Sequence, residues 1–298
     1  MTETALIIGC GDIGKRVATL VRQQGQTVIA ASHQKESQEI LKSLGIKSFF
    51  ADLDDNETPL SLPENTAQIY YLAPPPARGI VDTRMANFIV NLNETNPPKR
   101  IVYISTTGVY GDQQGNWINE SSETPAPTDR SKRRLSAESQ LKQFCQRTNC
   151  EYVILRVGGI YCLEKLPLAR IKDGVKVLQA NIAPASNRIH ADDLAHICIA
   201  AMQSTFANEI YNATDGNPSS ISDYFIQVAK TFHLSAPEEI DWQQAEKDIS
   251  PAMMSYLKES KKISVDKLFK QLNIKFKYPT LEDGLKQCQE EAFENQEI

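Results

Sequence analysis

Short apolar runs recur along the first half of the chain, and the gaps between most of them leave room for a helix. Ala5–Ile8, Gln26–Ala31, Lys47–Asp52, Gln68–Leu72, Arg100–Ser105 and Glu151–Val157 read as buried strands. Between them the apolar positions change to helical spacing: Ile13, Val17, Leu20 and Val21 after the first run, then Gln34–Leu44, Val81–Leu92 and Ser131–Arg147. Gly25 and Gly45 stand where the first two helices should stop. Strands alternating with helices in this way predict right-handed βαβ units and a parallel sheet covered on both faces, a doubly wound α/β fold. After Gly158 the pattern loosens into a helix at Leu166–Lys172, a turn around Pro184–Asn187, a helix at Asp192–Met202, a strand at Glu209–Ala213 and a mostly helical tail from Ile221. The expected division is therefore a sheet domain over residues 1–165 and a smaller lobe over residues 166–298, interwoven with the sheet and carrying the substrate side.

The junction of the first strand and first helix holds the strongest chemical signal. Gly9-x-Gly11-x-x-Gly14 follows an apolar run and opens a helix, the setting in which this spacing cradles a dinucleotide pyrophosphate. Gly9 permits the tight turn, Gly11 lets the backbone approach the phosphates, and Gly14 lets helix and strand pack closely. Asp12 and Ile13 complete the first helical turn, whose N–H groups and positive dipole end face the anion. The sheet is thus expected to be of the Rossmann type. A carboxylate at the end of the second strand would select NAD, but Ala31-Ser32-His33 stands there, with Lys35 close behind. Ser32, His33 and Lys35 are donors suited to a 2′-phosphate, so the expected cofactor is NADP, with NAD as the alternative. Asp52 and Leu53 end the third strand beside the adenine pocket, and Ala73 and Pro74 end the fourth on the nicotinamide-ribose side.

Composition narrows the field without naming a reaction. A net charge of −5 over 298 residues argues against a nucleic-acid partner, and 41% hydrophobic content suffices for a large core. No apolar run approaches the ~18 residues of a membrane span. Met1-Thr2-Glu3-Thr4 lacks the basic start of a secretory signal, so a cytoplasmic location without a membrane partner is expected. The 6 cysteines form no C-x-x-C pair and the 4 histidines no cluster, so no metal is expected.

Further along, the segment Ser105-Thr106-Thr107-Gly108-Val109-Tyr110-Gly111 resembles the S-S/T-x-x-V-Y-G segment of extended short-chain dehydrogenases, the NAD-dependent epimerase/dehydratase family. Trp117–Glu120, Leu155–Tyr161, Asn187–Ala195, Lys262–Ser264 and Tyr278–Leu285 match further landmarks in the same order, so the resemblance spans nearly the whole chain. It implies a small-molecule substrate and admits a homodimer. It also implies that Thr106 takes the place of the Ser/Thr whose hydroxyl bonds the reacting oxygen.

The family's Tyr-x-x-x-Lys pair is where the sequence departs. Alignment on Leu135–Glu138 puts Arg130 at the tyrosine position and Arg134 at the lysine position. Arg134 is suited to hold the nicotinamide ribose, but neither arginine releases a proton near neutral pH. The departure points to the atypical branches of the superfamily. Tyr161-x-x-x-Lys165 follows the wrong strand, which leaves Tyr110 as the tyrosine best placed to assist Thr106, against the plainer reading of Tyr110 as a structural aromatic. Arg130, Lys132, Arg133 and Arg134 oppose the dipole of their helix, either as a solvated face or as an anion site. His190 reads first as a buried hydrogen-bonding residue, and Asp192 or Asp193 as a helix cap. The expected function is an oxidoreductase or epimerase/dehydratase-like enzyme acting on a small polar, sugar- or nucleotide-linked substrate. The alternative is a non-enzymatic NAD(P)-binding redox sensor or regulatory protein.

Overall fold

The structure, a computed structural model, describes residues 4–63 and 66–295. The first half of the sheet is laid down by β1 (Thr4–Ile8), α1 (Asp12–Gln23), β2 (Thr27–Ser32), α2 (Lys35–Ser43) and β3 (Lys47–Phe50). β4 (Thr66–Tyr71), α3 (Thr83–Val90), β5 (Arg100–Thr106), the short β6 (Trp117–Ile118), α4 (Asp129–Thr148) and β7 (Glu151–Val157) follow. The chain then leaves the sheet through β8 (Gly159–Tyr161), α5 (Leu168–Lys172), β9 (Lys176–Leu178), β10 (Ala185–Ser186) and β11 (Arg188–His190). It returns with α6 (Ala191–Gln203) and β12 (Glu209–Ala213). The remainder is β13 (Ser219–Ser220), α7 (Ile221–Thr231), β14 (Glu238–Ile240), α8 (Trp242–Asp248), α9 (Pro251–Leu257), β15 (Lys262–Ile263), α10 (Asp266–Leu272) and α11 (Leu281–Glu294).

Seven parallel strands run in the spatial order β3-β2-β1-β4-β5-β7-β12. Their apolar runs are continuous because both faces are covered. In β1, Ala5 and Ile7 point into a core shared with Val17 and Val21 of α1 and Leu194 and Ile197 of α6. Leu6 and Ile8 point into the opposite core, with Phe88 of α3 and Leu141 and Phe144 of α4. The chain order runs outward from β1 to β3 on one side and from β4 to β12 on the other. The crevice at the carboxyl ends of β1 and β4 is therefore the topological switch point, where open α/β sheets take their ligands.

Several helix starts differ from the sequence reading by a residue or two, and two of them are set by a side-chain cap of the preceding loop. Asp82 accepts a hydrogen bond from Met85 N at 2.9 Å and starts α3 at Thr83, leaving Val81 outside the helix and exposed. Thr128 and Ser131 form a reciprocal capping box that starts α4 at Asp129, so Arg130 and Arg134 occupy its first two turns. Beyond the sheet, α7 and α11 share a small core with Phe225, Val228 and Leu285, and α8 and α9 pack Met254 and Leu257 against Leu178 and Ile240. Among the described residues no helix is long and apolar enough to cross a membrane, and no group of His, Cys, Asp and Glu is arranged to hold a metal.

Candidate functional site

The turn after β1 is built by close backbone approach. Gly9 has φ +85°, and a Cβ on it would lie 2.4 Å from Ala73 N and 2.5 Å from Ala73 Cα at the end of β4. A Cβ on Gly14 would come within 2.9 Å of the Gly9 carbonyl oxygen, which binds α1 tightly to the turn. Gly11 is different: a Cβ there would meet nothing within 4 Å, and no side chain caps α1. The backbone thus leaves an open space at a helix N-terminus whose first N–H groups need an acceptor. That is the space a pyrophosphate requires, and the residues fit one.

A cavity of about 300 Å³ runs from this turn across the carboxyl ends of β2, β3 and β4, lined by Gly9, Gly11, Ser32, His33, Asp52, Leu53, Ala73 and Pro74. Asp54 and Arg84 close its rim: the Arg84 guanidinium donates to both Asp54 carboxylate oxygens, at 2.7 and 2.6 Å, and to the Pro74 carbonyl at 3.1 Å. Those bonds hold the Asp54 carboxyl below its usual range. Cys10 also lines the cavity, but burial pushes its thiol up to about 12, so it stays protonated and inert.

Three residues expected beside the cofactor keep their side chains outside this cavity. Lys35 begins α2 and lines a separate surface depression with Gln38 and Lys42, because the helix turns its side chain away from the end of β2. The Asp12 side chain bonds Arg16 at 2.9 Å and Lys165, and Arg16 reaches on to Asp192. Burial alone would raise the Asp12 carboxyl, but Lys165 and Arg16 together hold it low. Ile13 is buried in the core beneath α1. Asp12 and Ile13 therefore offer the turn their backbone only, and the Asp12 side chain fastens α1 to the segment after β8.

A second cavity, of about 550 Å³, neighbours the first across the end of β4, with Pro74 lining one and Pro75 the other. Thr106 and Gly108 form its floor, Arg130 and Arg134 of α4 one side, and Asn187, Met253, Tyr256 and Lys261 of the later chain the other. Thr106 Oγ1 accepts from Gly108 N at 3.1 Å, which leaves the hydroxyl hydrogen to donate. Arg134 donates to the Ile104 carbonyl at 3.0 Å and to the Tyr103 hydroxyl at 3.3 Å, so its guanidinium is anchored to the end of β5 beside Thr106. The Arg130 guanidinium lies 3.7 Å from the centre of the Tyr256 ring. Lys261 donates to the Gly111 carbonyl at 2.7 Å and to Glu259 at 2.8 Å. Asn187 holds this later segment in place by bonding the Lys261 carbonyl and Ile263 N.

Tyr110 does not reach this cleft, which corrects its expected role. Its side chain is fully buried, its hydroxyl donates to Asn212 Oδ1 at 2.8 Å, and it accepts from Arg156 at 3.1 Å. Burial pushes its phenol above the ordinary value. The short helical turn over Thr107–Tyr110 rotates Val109 and Tyr110 inward, so the structural-aromatic reading holds. Arg156 in turn forms a two-bond pair with Glu138, at 3.1 and 2.8 Å, and Glu138 accepts from Ser105 Oγ at 2.6 Å. This buried network ties β5, α4, β7 and β12 together directly beneath Thr106 and Arg134. An arginine inside the apolar run Val153–Val157 was its one signal in the sequence, since a buried guanidinium needs an anionic partner.

The remaining candidates are structural. Tyr161 is buried against His190, and Lys165 pairs with Asp12, so the two form no acid/base couple. His190 Nδ1 accepts from Asp192 N at 3.2 Å and caps α6, while burial pulls the imidazole below its ordinary value. Asp193 accepts from the backbone of Lys277 and Tyr278 and pins the chain ahead of α11. Of the basic cluster, Lys132 faces solvent and Arg133 turns away to the Gly79 carbonyl, leaving only Arg130 and Arg134 in the cleft.

Comparison with known proteins agrees with this geometry. The NAD(P)H-binding family model matches residues 9–205, more than half of the chain. No curated relative matches the sequence. Among solved structures, a conserved protein of unknown function from Silicibacter pomeroyi superposes with a TM-score of 0.83 at 23% identity, covering 98% of this chain and 99% of that one. The UDP-glucose 4-epimerase of Thermotoga maritima, solved with UDP-glucose, gives 0.79 at 16% identity, over 98% and 99% of the two chains. The UDP-glucuronic acid 4-epimerase of Bacillus cereus, solved with NAD, gives 0.76 at 17%, over 97% and 99%. These likenesses establish a shared fold, and the family match establishes a nicotinamide dinucleotide as the class of cofactor. The chain belongs to the NAD(P)H-binding family.

Proposed function

We propose that the protein is an NADP-dependent oxidoreductase or epimerase-like enzyme that acts on a small polar, sugar- or nucleotide-linked substrate. The observation that carries this reading is the adjacency of two cavities at the switch point, one floored by the Gly9–Gly14 turn and the other by Thr106. Gly11 and the first turn of α1 would hold the cofactor's phosphates, and Asp52, Leu53, Ala73 and Pro74 would line its path. A nicotinamide supplies reversible hydride transfer when bound. The Thr106 hydroxyl, with its hydrogen free to donate, orients and polarises a substrate carbonyl oxygen. Arg134, fixed to the Ile104 carbonyl, keeps a permanent positive charge beside that oxygen. The test is consumption of NADPH in the presence of a panel of sugar and nucleotide-sugar carbonyl compounds. The burial of Tyr110 favours the competing reading of a dinucleotide-binding sensor, which predicts cofactor binding without turnover of any compound.

Two expected results follow from particular side chains. Thr106→Val should lower turnover about 100-fold while leaving cofactor affinity unchanged, and Thr106→Ser should restore most of the rate. Steady-state kinetics on the three proteins checks this, and a valine variant as fast as wild type would remove Thr106 from the chemistry. Ser32 and His33 line the first cavity and the end of β2 presents no carboxylate, so NADPH should bind about tenfold more tightly than NADH. Ser32→Asp should reverse that order by repelling the 2′-phosphate. Titration with both reduced cofactors decides it; tighter NADH binding by the wild-type protein would contradict the assignment to NADP.

A further inference from the structure

Among the described residues Arg130 and Arg134 have no carboxylate in ion-pair contact; Arg133 and Arg188 have none either, but they are turned to protein carbonyls and hydroxyls instead. Arg16, Arg84, Arg100, Arg147 and Arg156 are each paired with a carboxylate. Acidic residues are plentiful, with 37 Asp and Glu against 32 Lys and Arg, yet no carboxylate lies within ion-pair distance of either cleft guanidinium among the described residues, although Asp82 is near enough to feel the charge of Arg134. The carboxylate that lines the cleft, Glu259, is already taken by Lys261. Arg134 uses one terminal nitrogen on protein acceptors, and among the described residues Arg130 is held by the Tyr256 ring alone. A ring steadies a guanidinium without neutralising it or occupying its in-plane N–H donors. Arg130 also sits in the first turn of α4, where the helix dipole disfavours a cation and favours an anion, and Arg134 follows one turn later. Pro75, Pro184, Ile221 and Met253 add apolar walls that strengthen any charge interaction inside.

We propose that Arg130 and Arg134 form a clamp for an oxyanion, carboxylate or phosphate, carried by the substrate itself. This rests on reading the cleft as the substrate site, and it names the chemical class that site accepts. The cofactor's phosphates are not the anion in question, because the turn suited to them lines the other cavity. The two arginines stand one turn apart on one helix face and present planar donor forks, a pattern that suits bidentate recognition.

The experiment is calorimetric titration of the purified protein with succinate and with inorganic phosphate, in the absence and presence of saturating NADPH. Wild type, Arg130→Gln, Arg134→Gln, Arg130→Lys and the solvent-facing control Lys132→Gln are compared, with thermal melting to confirm that each is folded. The expected result is saturable binding of one or both anions, weakened about tenfold or more by either Arg→Gln change and unaltered in Lys132→Gln. Arg130→Lys, which keeps the charge but loses the fork, should fall between. Preference for succinate assigns a carboxylate and preference for phosphate a phosphoryl group; each supports the clamp. Equal affinities in wild type and both Arg→Gln variants, or no saturable binding of either anion to wild type, would overturn it. Because the difference between wild type and variants is read with and without NADPH, a protein that fails to bind NADPH would overturn the functional reading and leave the clamp standing.

Discussion

Gly9→Ala is expected to destabilise the protein and abolish dinucleotide binding together. The residue has φ +85°, where a Cβ costs about 1–2 kcal/mol by itself. The added methyl would also lie 2.4 Å from Ala73 N and 2.9 Å from the Leu72 carbonyl carbon. Those are backbone atoms at the end of β4, held on β1 by the Leu72 N to Ile8 carbonyl bond of 2.8 Å, so no side chain is available to swing aside. β4 and the turn must separate, which adds a cost on the order of 1–3 kcal/mol. The same separation opens the junction between the two cavities. Thermal melting and NADPH titration of the variant check both consequences; an unshifted melt would contradict the close approach.

The second large effect belongs to Glu138, which never touches the cleft. It is fully buried and accepts from Arg156 through both oxygens and from Ser105. Glu138→Ala leaves the Arg156 guanidinium buried and unpaired, which costs about 3–5 kcal/mol. Replacing both members by apolar residues of similar size, Glu138→Leu with Arg156→Met, should recover much of that loss, because the pair's attraction largely offsets its desolvation. The recovered double variant should still bind substrate poorly, since Ser105 has lost the contact that seats β5 on α4. Urea denaturation of the single and double variants measures the stability part. Single variants within about 1 kcal/mol of wild type would show that the pair carries no such weight.

Much of the fold was legible because its signals are local. β7 and β12 span the residues read from their apolar runs, Glu151–Val157 and Glu209–Ala213, and the other main strands shift by only a residue or two. The glycine spacing located the tight strand-to-helix turn because Gly9 and Gly14 answer to contacts within a few residues or to one neighbouring strand end. Side-chain direction was the harder part. Tyr110 sits in a loop whose sequence resembles a catalytic segment, yet one turn of tight helix points it at Asn212, a hundred residues away in the chain. Lys35 is close to Ser32 in sequence but begins a helix, and the helix sets its bearing. Tyr256 and the Glu259–Lys261 pair come from a segment without strand or helix periodicity strong enough to place it. Their arrival in the cleft depends on Asn187 fastening that segment from afar. Local pattern specifies elements; long-range hydrogen bonds decide which faces meet.

If the Gly9–Gly14 turn holds a nicotinamide dinucleotide, a side chain at Gly11 must block it. A Cβ on Gly11 meets nothing within 4 Å, so Gly11→Val adds no clash with the protein, and its melting curve reports whether the backbone at φ −76° and ψ −147° accepts a side chain. Its side chain would instead fill the space assigned to the pyrophosphate. NADPH titration of wild type and Gly11→Val, with melting curves alongside, should show saturable one-site binding to wild type, loss of that binding in the variant, and matching melts without cofactor. NADPH binding undiminished in a folded Gly11→Val protein would mean that this turn does not hold the dinucleotide.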